Sequence, residues 1–412
     1  MGLILRSAPA TLEGSLRLPG AKSSSNRWLI IEALSDKKLE IIGLATAEDT
    51  RLLKQALETT EPIINVGAAG TAMRFMTAFL SQRPGTFELR GKDRAHDRPI
   101  AILVDALRAL GAEITYLDKS GYPPLRIAGN KLHGGRLKID ASVSSQYLTA
   151  LLLVAAKMQN GLTLLWEGDL SSAPYIAQTL EVLQQAGIGY EQSAQHIEVY
   201  PGEFKLNPVE IEPDWSSAAY WLAFTCLLPA KLRLLGLKAD SLQADKRALT
   251  HLQAFGLQHR FESDGLVVWR EPTLNETQKI EWDFRDCPDL APTLIVLCAA
   301  LKRQAVFTGI QSLRIKESDR LLALQTELRK FGAQLHINEA SAVLVSGCSL
   351  EPTETITVNS WQDHRIAMSL SLMTAVGYAL YFDTIEVVSK SYPAFWEDLA
   401  KFGFQLEQQD GR

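Results

Sequence analysis

The sequence predicts a mixed α/β or α+β protein of two domains, each assembled from three copies of one supersecondary unit. Three observations carry that prediction. At 412 residues the chain exceeds the roughly 250 to 300 that a single core supports. Six apolar, nearly charge-free stretches of helical length begin near Ser23, Gly70, Ser144, Ser216, Asp289 and His364, the last five at intervals of 74, 72, 73 and 75 residues. About 40 residues after each start comes an amphipathic segment, which in five copies closes on a glycine and passes into a strand-like run.

In chain order, the first apolar helix follows Leu18-Pro19-Gly20-Ala21-Lys22, where a Pro-Gly turn hands over to serines 23 to 25, which can cap a helix. Its amphipathic companion starts near Thr50 and gives way at Thr60-Glu61-Pro62 without a glycine, and the interval to the next apolar run is only 47 residues. The later companions end on Gly111, Gly187, Gly256, Gly332 and Gly403, with strands such as Ala112–Leu117 and Ala333–Ile337 behind them. A helix apolar on every face must be buried, and an amphipathic one covers it. Six such units divide into two domains of three, with the change placed near Pro213, before Asp214-Trp215-Ser216-Ser217.

Composition narrows the class of function. A formal net charge of −5 argues against general binding of nucleic acid or of anionic membrane, so any anion site must be a local concentration of cations. Cys226, Cys287, Cys298 and Cys348 lie in or beside apolar stretches without Cys-x-x-Cys spacing, as buried thiols of a reducing compartment do. The seven histidines show no metal-ligand spacing, so neither a metal site nor a cofactor is expected. No apolar run reaches the ~18 residues of a membrane span and the N-terminus has no secretory core, which predicts a soluble cytoplasmic protein.

The chemistry gathers where the apolar helices start. Lys22, Ser23 and Arg27 open the first, Gly67-Ala68-Ala69-Gly70-Thr71-Ala72-Met73-Arg74 the second, Ser144-Ser145-Gln146 the third, Asp289 the fifth and Asp363-His364-Arg365 the sixth. Capping accounts for serine, threonine and aspartate there, but cations are unfavourable at the positive end of a helix dipole unless an anion offsets them. In Arg314-Ile315-Lys316-Glu317-Ser318-Asp319-Arg320, a helical conformation would put Lys316 and Arg320 on one face, held either by an anion or by Glu317 and Asp319 in a surface network. Arg98 before Pro99, Lys390 before Tyr392-Pro393, and Ser172 with Tyr175 are placed at three further helix entrances. Converging guanidinium, ammonium and hydroxyl groups suit a ligand that carries phosphate and carboxylate. Carboxylates have little use in a pure anion site, so Asp289 and Glu317 are the proton-transfer candidates, although Asp289 after Pro288 could equally be a helix cap.

Joint occurrence of Leu18-Pro19-Gly20-Ala21-Lys22-Ser23, Ala69-Gly70-Thr71-Ala72-Met73-Arg74, Arg98-Pro99-Ile100, Ser144-Ser145-Gln146, Pro288-Asp289, Lys316-Glu317-Ser318-Asp319-Arg320-Leu321 and Asp363-His364-Arg365, in order over nearly the whole chain, resembles the enolpyruvyl transferase family, on its shikimate 3-phosphate branch. The resemblance implies six βαβαββ units, three per domain around buried helices. Residues 1–20 would join 213–412 in one domain, with 21–212 as the other and the active site in the cleft between them. It implies an enzyme that moves the enolpyruvyl group of phosphoenolpyruvate to the 5-hydroxyl of shikimate 3-phosphate in the shikimate pathway, with release of phosphate. Shikimate 3-phosphate would be held by Ser23, Arg27, Ser144, Ser145, Gln146, Ser172, Tyr175, Asp289, Ser312 and Lys316. Phosphoenolpyruvate would be held by Lys22, Gly70, Arg98, Gln146, Arg320, His364, Arg365 and Lys390. Asp289, Glu317 and Lys22 would be catalytic. The expected partners are these small molecules alone, with the protein acting as a monomer without a cofactor.

Four positions depart from the family pattern. Ala68 and Ser312 stand where asparagines that touch substrate are usual, Ala21 replaces a serine, and Phe75 takes the place of a common proline. Ala68 and Phe75 are expected to reshape the phosphoenolpyruvate pocket and alter its response to the analogue glyphosate. Two rival readings follow. One is transfer to UDP-N-acetylglucosamine, whose enzymes usually carry a cysteine or aspartate in the loop matching 91–98; here that loop has Asp93 and Asp97 but no cysteine. The other is a non-catalytic anion-binding homologue.

Overall fold

The computed structural model describes residues 2–92, 95–140, 145–167, 170, 172–272, 279–351 and 354–409. Contacts divide the chain into two units, Met1–Pro19 with Glu212–Arg412, and Gly20–Ile211. In the second of these the helices are α1 (Lys22–Ser35), α2 (Glu48–Glu58), α3 (Gly70–Gln82), α4 (Ala101–Ala109), α5 (Ser145–Ala155) and α6 (Ala173–Gln185). In the other they are α7 (Trp215–Leu227), α8 (Ala248–Leu252), α9 (Ala291–Ala300), α10 (Arg320–Arg329), α11 (His364–Leu370) and α12 (Phe395–Lys401).

Within each unit the odd-numbered helices are the apolar ones, and they are buried. Every residue of α9 and of α11 is buried, and in α5 every residue from Tyr147 onward. Each fully enclosed Leu294, Ile295 or Leu297 of α9 contributes on the order of 1.5–3 kcal/mol. The even-numbered helices present one buried face and one exposed face, as their patterning demands.

Around each buried helix the strands repeat one order. Ile63–Asn65 runs parallel to Gly85–Arg90, with α3 as the crossover; Gly85–Arg90 then pairs antiparallel with Leu125–Gly129, and that strand with Glu113–Tyr116. Gly135–Lys138, Leu162–Leu165, His196–Val199 and Tyr190–Gln192 reproduce this around α5. In the other unit, Leu12–Arg17 pairs parallel with Ala230–Leu235, Ile280–Asp283 with Ala305–Thr308, and Ile356–Val358 with Leu380–Phe382, each followed by its antiparallel pair. The last of these sheets is completed by the N-terminal strand Gly2–Ser7, which lies between Leu380–Phe382 and Gln405–Gln409.

The copy around α1 is the exception. Its sheet is the two-stranded pair Ile41–Ile42 and Val209–Glu210, and α2 passes directly to Ile63–Asn65 with no closing hairpin between them. That missing hairpin is the physical origin of the short 47-residue interval. The companion helices end as their glycines require: Gly187 at φ 78° and Gly256 at φ 84° adopt the left-handed conformation that turns the chain into the next strand. Among the described residues, no helix is long and apolar enough to cross a membrane.

Candidate active site

In the unit Gly20–Ile211, the N-terminus of α1 is built differently from the sequence expectation. Ala21 takes the N-cap position and its carbonyl accepts from the Ser25 N–H at 2.9 Å, so the serines fall inside the first turn, too late to cap. Their hydroxyls turn to tertiary partners. Ser23 Oγ donates to Gln178 Oε1 at 3.1 Å, and Ser25 Oγ accepts from the Ala45 N–H at 2.9 Å. Lys22 Nζ meets Asp49 Oδ2 at 2.9 Å.

Arg27, one turn on, is 4% exposed. It donates to Thr179 Oγ1 at 2.9 Å, to the Ser23 carbonyl at 2.7 Å and to the Tyr175 carbonyl at 2.9 Å. A fourth, longer contact reaches Thr149 Oγ1 at 3.5 Å; all four acceptors are neutral, and among the described residues no carboxylate pairs with it. Burial therefore pulls its pKa from the usual 12.5 down to about 10. A buried cation balanced among the described residues by neutral oxygens alone is costly, and a negative charge brought beside it would offset that cost.

The start of α3 is likewise uncapped by a side chain and has no acidic residue in its first turn. The Arg98 guanidinium lies against Gly70, in the space a Cβ there would take, so a larger residue would push the arginine aside. Arg74 donates to the Gly70 carbonyl at 2.8 Å and lies over the Tyr147 ring, and Gln146 Nε2 reaches Thr71 Oγ1 at 3.4 Å. Arg98, Gly70 and Gln146 are thus gathered around one helix N-terminus. Arg98 does not stand at the entrance of α4, however: the N-cap is Ile100, whose N–H donates to the Gly121 carbonyl at 2.9 Å and whose carbonyl accepts from the Val104 N–H at 3.1 Å, so the helix begins at Ala101, while the Tyr147 hydroxyl donates to the Pro99 carbonyl at 2.6 Å. Ser172 occupies the N-cap of α6 with a left-handed φ of 58°, rare for a non-glycine residue and costly unless its surroundings hold it. Ser145 opens the described part of α5. Ser144 and Asp93 lie outside the described residues.

In the unit of Met1–Pro19 and Glu212–Arg412, the candidates converge on Asp289. This residue sits in the 3-10 turn Pro288–Leu290 ahead of α9 and caps no helix. Its Oδ1 lies 3.1 Å from Arg320 Nη1 and 3.7 Å from Lys316 Nζ, and its Oδ2 lies 2.9 Å from Arg365 Nη2. Arg320, 1% exposed, also reaches Glu317 Oε2 at 2.7 Å and Asp363 Oδ2 at 2.8 Å. Asp319 caps α10 by accepting from the Leu322 N–H at 3.1 Å, which fixes the helix start at Arg320 and leaves Lys316 extended outside it. The condition for Lys316 and Arg320 to share a helical face is therefore not met, although both reach the same carboxylate oxygen. Burial opposes the negative charge of Asp289, but Arg365, Lys316 and Arg320 outweigh both burial and the nearby Glu317, and hold its carboxyl well below the usual carboxylate range. About a fifth of the Asp289 side chain remains exposed, so the cluster is open to solvent.

Asp363 is the hidden keystone. Fully buried, it caps α11 through the Arg365 N–H at 2.9 Å and accepts from Ser318 Oγ at 3.1 Å as well as from Arg320. Two successive left-handed residues, Trp361 (φ 54°) and Gln362 (φ 53°), deliver it there. The Gln362 carbonyl takes Lys390 Nζ at 3.0 Å; Lys390 ends a 3-10 turn and does not stand at the entrance of α12, because Ser391 and Tyr392 both bond back to the Val388 carbonyl and the helix starts only at Phe395. His364 begins α11, buried, with Nδ1 3.8 Å from Asp363 Oδ1. Ser312 is half-buried in the turn Gln311–Ile315, and Phe75 is buried inside α3. Among the described residues no cluster of ligands suits a metal ion.

The family model described as EPSP synthase (3-phosphoshikimate 1-carboxyvinyltransferase) matches residues 7–61 and 53–399. The chain belongs to the EPSP synthase family. A 3-phosphoshikimate 1-carboxyvinyltransferase of Bacteroides fragilis is 40% identical over 406 residues, covering 98% of each chain, and one of Photobacterium damsela subsp. piscicida is 34% identical, covering 94% of this chain and 96% of its own. Among solved structures, an EPSP synthase from Acinetobacter baumannii superposes with a TM-score of 0.76 over 98% of this chain and 99% of its own, at 21% identity. The enolpyruvyl transferase NikO from Streptomyces tendae gives 0.75 over 98% of each, at 16% identity. The last two speak to the fold alone, which this family member shares.

Sequence reasoning missed Asp49, Asp363, Ser216 and Asp245 as parts of the charged clusters. Asp363 and Ser216 were visible as helix starts and only the geometry gives them a further part. Asp49 and Asp245 carry no sequence signal, because each meets its partner 27 or 29 residues away.

Proposed function

We propose that this EPSP synthase family member transfers the enolpyruvyl group of phosphoenolpyruvate to the 5-hydroxyl of shikimate 3-phosphate, and that the two charged clusters are its substrate sites. The observation that carries the reading is an ionised, solvent-reachable carboxylate, Asp289, held among three cations with a second carboxylate, Glu317, on one of them. A binding site alone would have no use for that arrangement.

In this reading Ser23, Arg27, Ser144, Ser145, Gln146, Ser172, Tyr175, Ser312 and Lys316 hold shikimate 3-phosphate. Lys22, Gly70, Arg98, Gln146, Arg320, His364, Arg365 and Lys390 hold phosphoenolpyruvate. The domains are taken as residues 1–20 with 213–412, and 21–212. Asp289, with its pKa depressed, is a feeble base in the free protein. Anionic substrates would engage Arg365, Arg320 and Lys316, weaken their hold on the carboxylate and so raise its proton affinity when the 5-hydroxyl is in place. The hydroxyl oxygen then adds to C2 of phosphoenolpyruvate as Asp289 takes its proton, and C3 gains a proton with help from Glu317 and Lys22. Loss of a proton from that C3 methyl expels phosphate from C2 and leaves the enol ether. Working as a monomer in the reducing cytoplasm suits four buried free thiols.

The test is release of inorganic phosphate from phosphoenolpyruvate by the purified protein. Release that requires shikimate 3-phosphate supports the reading; release that requires UDP-N-acetylglucosamine, or none with either acceptor, overturns it.

A further inference from the structure

Behind the Asp289 cluster lies a buried acid to which the reaction above gives no part. Asp245 sits in the 3-10 turn Ala244–Arg247, 3% exposed. Ser216 Oγ, in the first turn of α7, donates to its Oδ2, while Oδ1 is buried without a hydrogen-bond partner among the described residues. The same Ser216 oxygen accepts from Arg365 Nη2 at 3.2 Å, and that nitrogen also donates to Asp289 Oδ2 at 2.9 Å. A continuous chain therefore joins Asp245 to Ser216, Arg365 and Asp289.

We propose that Asp245 is a positioning residue for Arg365, acting through Ser216, and that its charge state sets how freely Arg365 can bind an anion. The proposal rests on the reading above in which Arg365 holds phosphoenolpyruvate. A carboxyl group with one oxygen left unpaired in the interior costs more as a charge than as a neutral acid. As a neutral acid it supports Ser216 and leaves Asp289 as the direct counter-charge of Arg365. As a carboxylate it adds a second counter-charge two hydrogen bonds away, which an incoming phosphate or carboxylate must compete with.

The groups facing Asp245 agree with a titration in the working range. They are Arg365 on α11, Asp289 in the turn before α9, Asp214 at the N-cap of α7, and the Cys287 thiol. On its own turn, Lys246 is bonded to the Ala239 carbonyl and Arg247 is paired with Asp286 at 2.8 Å. Burial, Asp289 and Asp214 push the Asp245 carboxyl up, and Arg365 and the Ser216 hydrogen bond pull it down, leaving it raised from 3.8 to about 7. An anion bound at Arg365 raises it further, so binding near pH 7 takes up a proton.

The experiment compares wild type with Asp245→Asn, Asp245→Ala and Ser216→Ala at saturating shikimate 3-phosphate, with kcat and KM for phosphoenolpyruvate measured from pH 6 to 8.5. Titration of phosphoenolpyruvate itself is common to all and cancels in ratios. The expected ratio of wild-type to Asp245→Asn KM is near one at pH 6 and rises about fivefold or more by pH 8.5, the low end of ordinary coupling between sites, with a flat kcat ratio. Asp245→Ala, which cannot support Ser216, has a raised KM at every pH. If Asp245→Asn fails to fold, Ser216→Ala carries the test: with its hydrogen bond gone, Asp245 stays protonated to higher pH and the KM profile shifts upward in pH. A KM ratio that does not change with pH, or a Ser216→Ala profile that matches wild type, overturns the proposal. Wild type inactive at every pH overturns the proposed function instead.

Discussion

Replacing Arg27 with methionine should leave the free protein as stable as wild type, or more so, while abolishing tight binding of shikimate 3-phosphate. The guanidinium is 4% exposed, and burial drags its pKa from 12.5 to about 10. At ~1.4 kcal/mol for each pKa unit, that is a cost on the order of 3 kcal/mol. The sign is that of a cation whose folded pKa is depressed, so the cost is fully present at neutral pH and relieved only above about pH 10. Methionine removes that cost, keeps much of the volume and forfeits four hydrogen bonds, one of them long at 3.5 Å, of about 1 kcal/mol each. The Thr179 hydroxyl keeps its bond to the Tyr175 carbonyl at 2.8 Å, so it is not stranded. The terms nearly cancel for folding. They do not cancel for binding, where a charge-assisted contact worth about 2–3 kcal/mol is lost, or roughly 30- to 150-fold in affinity. Urea unfolding of the free protein and titration calorimetry with shikimate 3-phosphate measure the two sides. A variant that loses more than about 3 kcal/mol of stability and binds as wild type does would refute the reasoning, and Arg27 would be a structural residue.

Further outcomes follow from the other cluster. Asp363→Ala takes from buried Arg320 one of its three carboxylates and uncaps α11, a loss of about 3 kcal/mol, whereas Asp363→Asn keeps the cap and loses less; thermal unfolding should rank them in that order, and equal melting temperatures would contradict the keystone role. Because Asp289 is held below the usual carboxylate range, its contribution to stability is complete above about pH 4 and is lost on further acidification; Asp289→Asn should therefore show a shallower acid-unfolding profile than wild type, read by circular dichroism. In heavy water, the addition and elimination steps put deuterium into the enol ether methylene of the product, which mass spectrometry detects; product without deuterium would exclude a C3 methyl intermediate.

The repeat was legible in the sequence because burial imposes a pattern: a helix enclosed on every side, such as α9, must be apolar on every side, and each companion helix must stop on a residue able to turn left-handed. Even the truncated first copy was visible, as a short interval. What escaped was local and long-range together. The helix starts at Lys22, Ala101 and Arg320 are displaced from their sequence positions by a backbone carbonyl or a cap whose partner cannot be read from spacing. Arg320 could be recognised as a candidate, but not that it is buried between Asp289, Glu317 and Asp363, since those carboxylates come from three separate stretches. Whether cations or burial would win at Asp289 depended on distances of 3 to 4 Å that no motif encodes.

The most direct measurement is phosphate release by wild type and Asp289→Ala side by side, each with shikimate 3-phosphate binding measured in parallel. Enolpyruvyl transfer through Asp289 predicts turnover in wild type that depends on shikimate 3-phosphate and falls at least about a hundredfold in the variant, the usual reach of general base catalysis, with binding retained. Turnover in Asp289→Ala within a few-fold of wild type would contradict the account and move the chemistry away from this carboxylate.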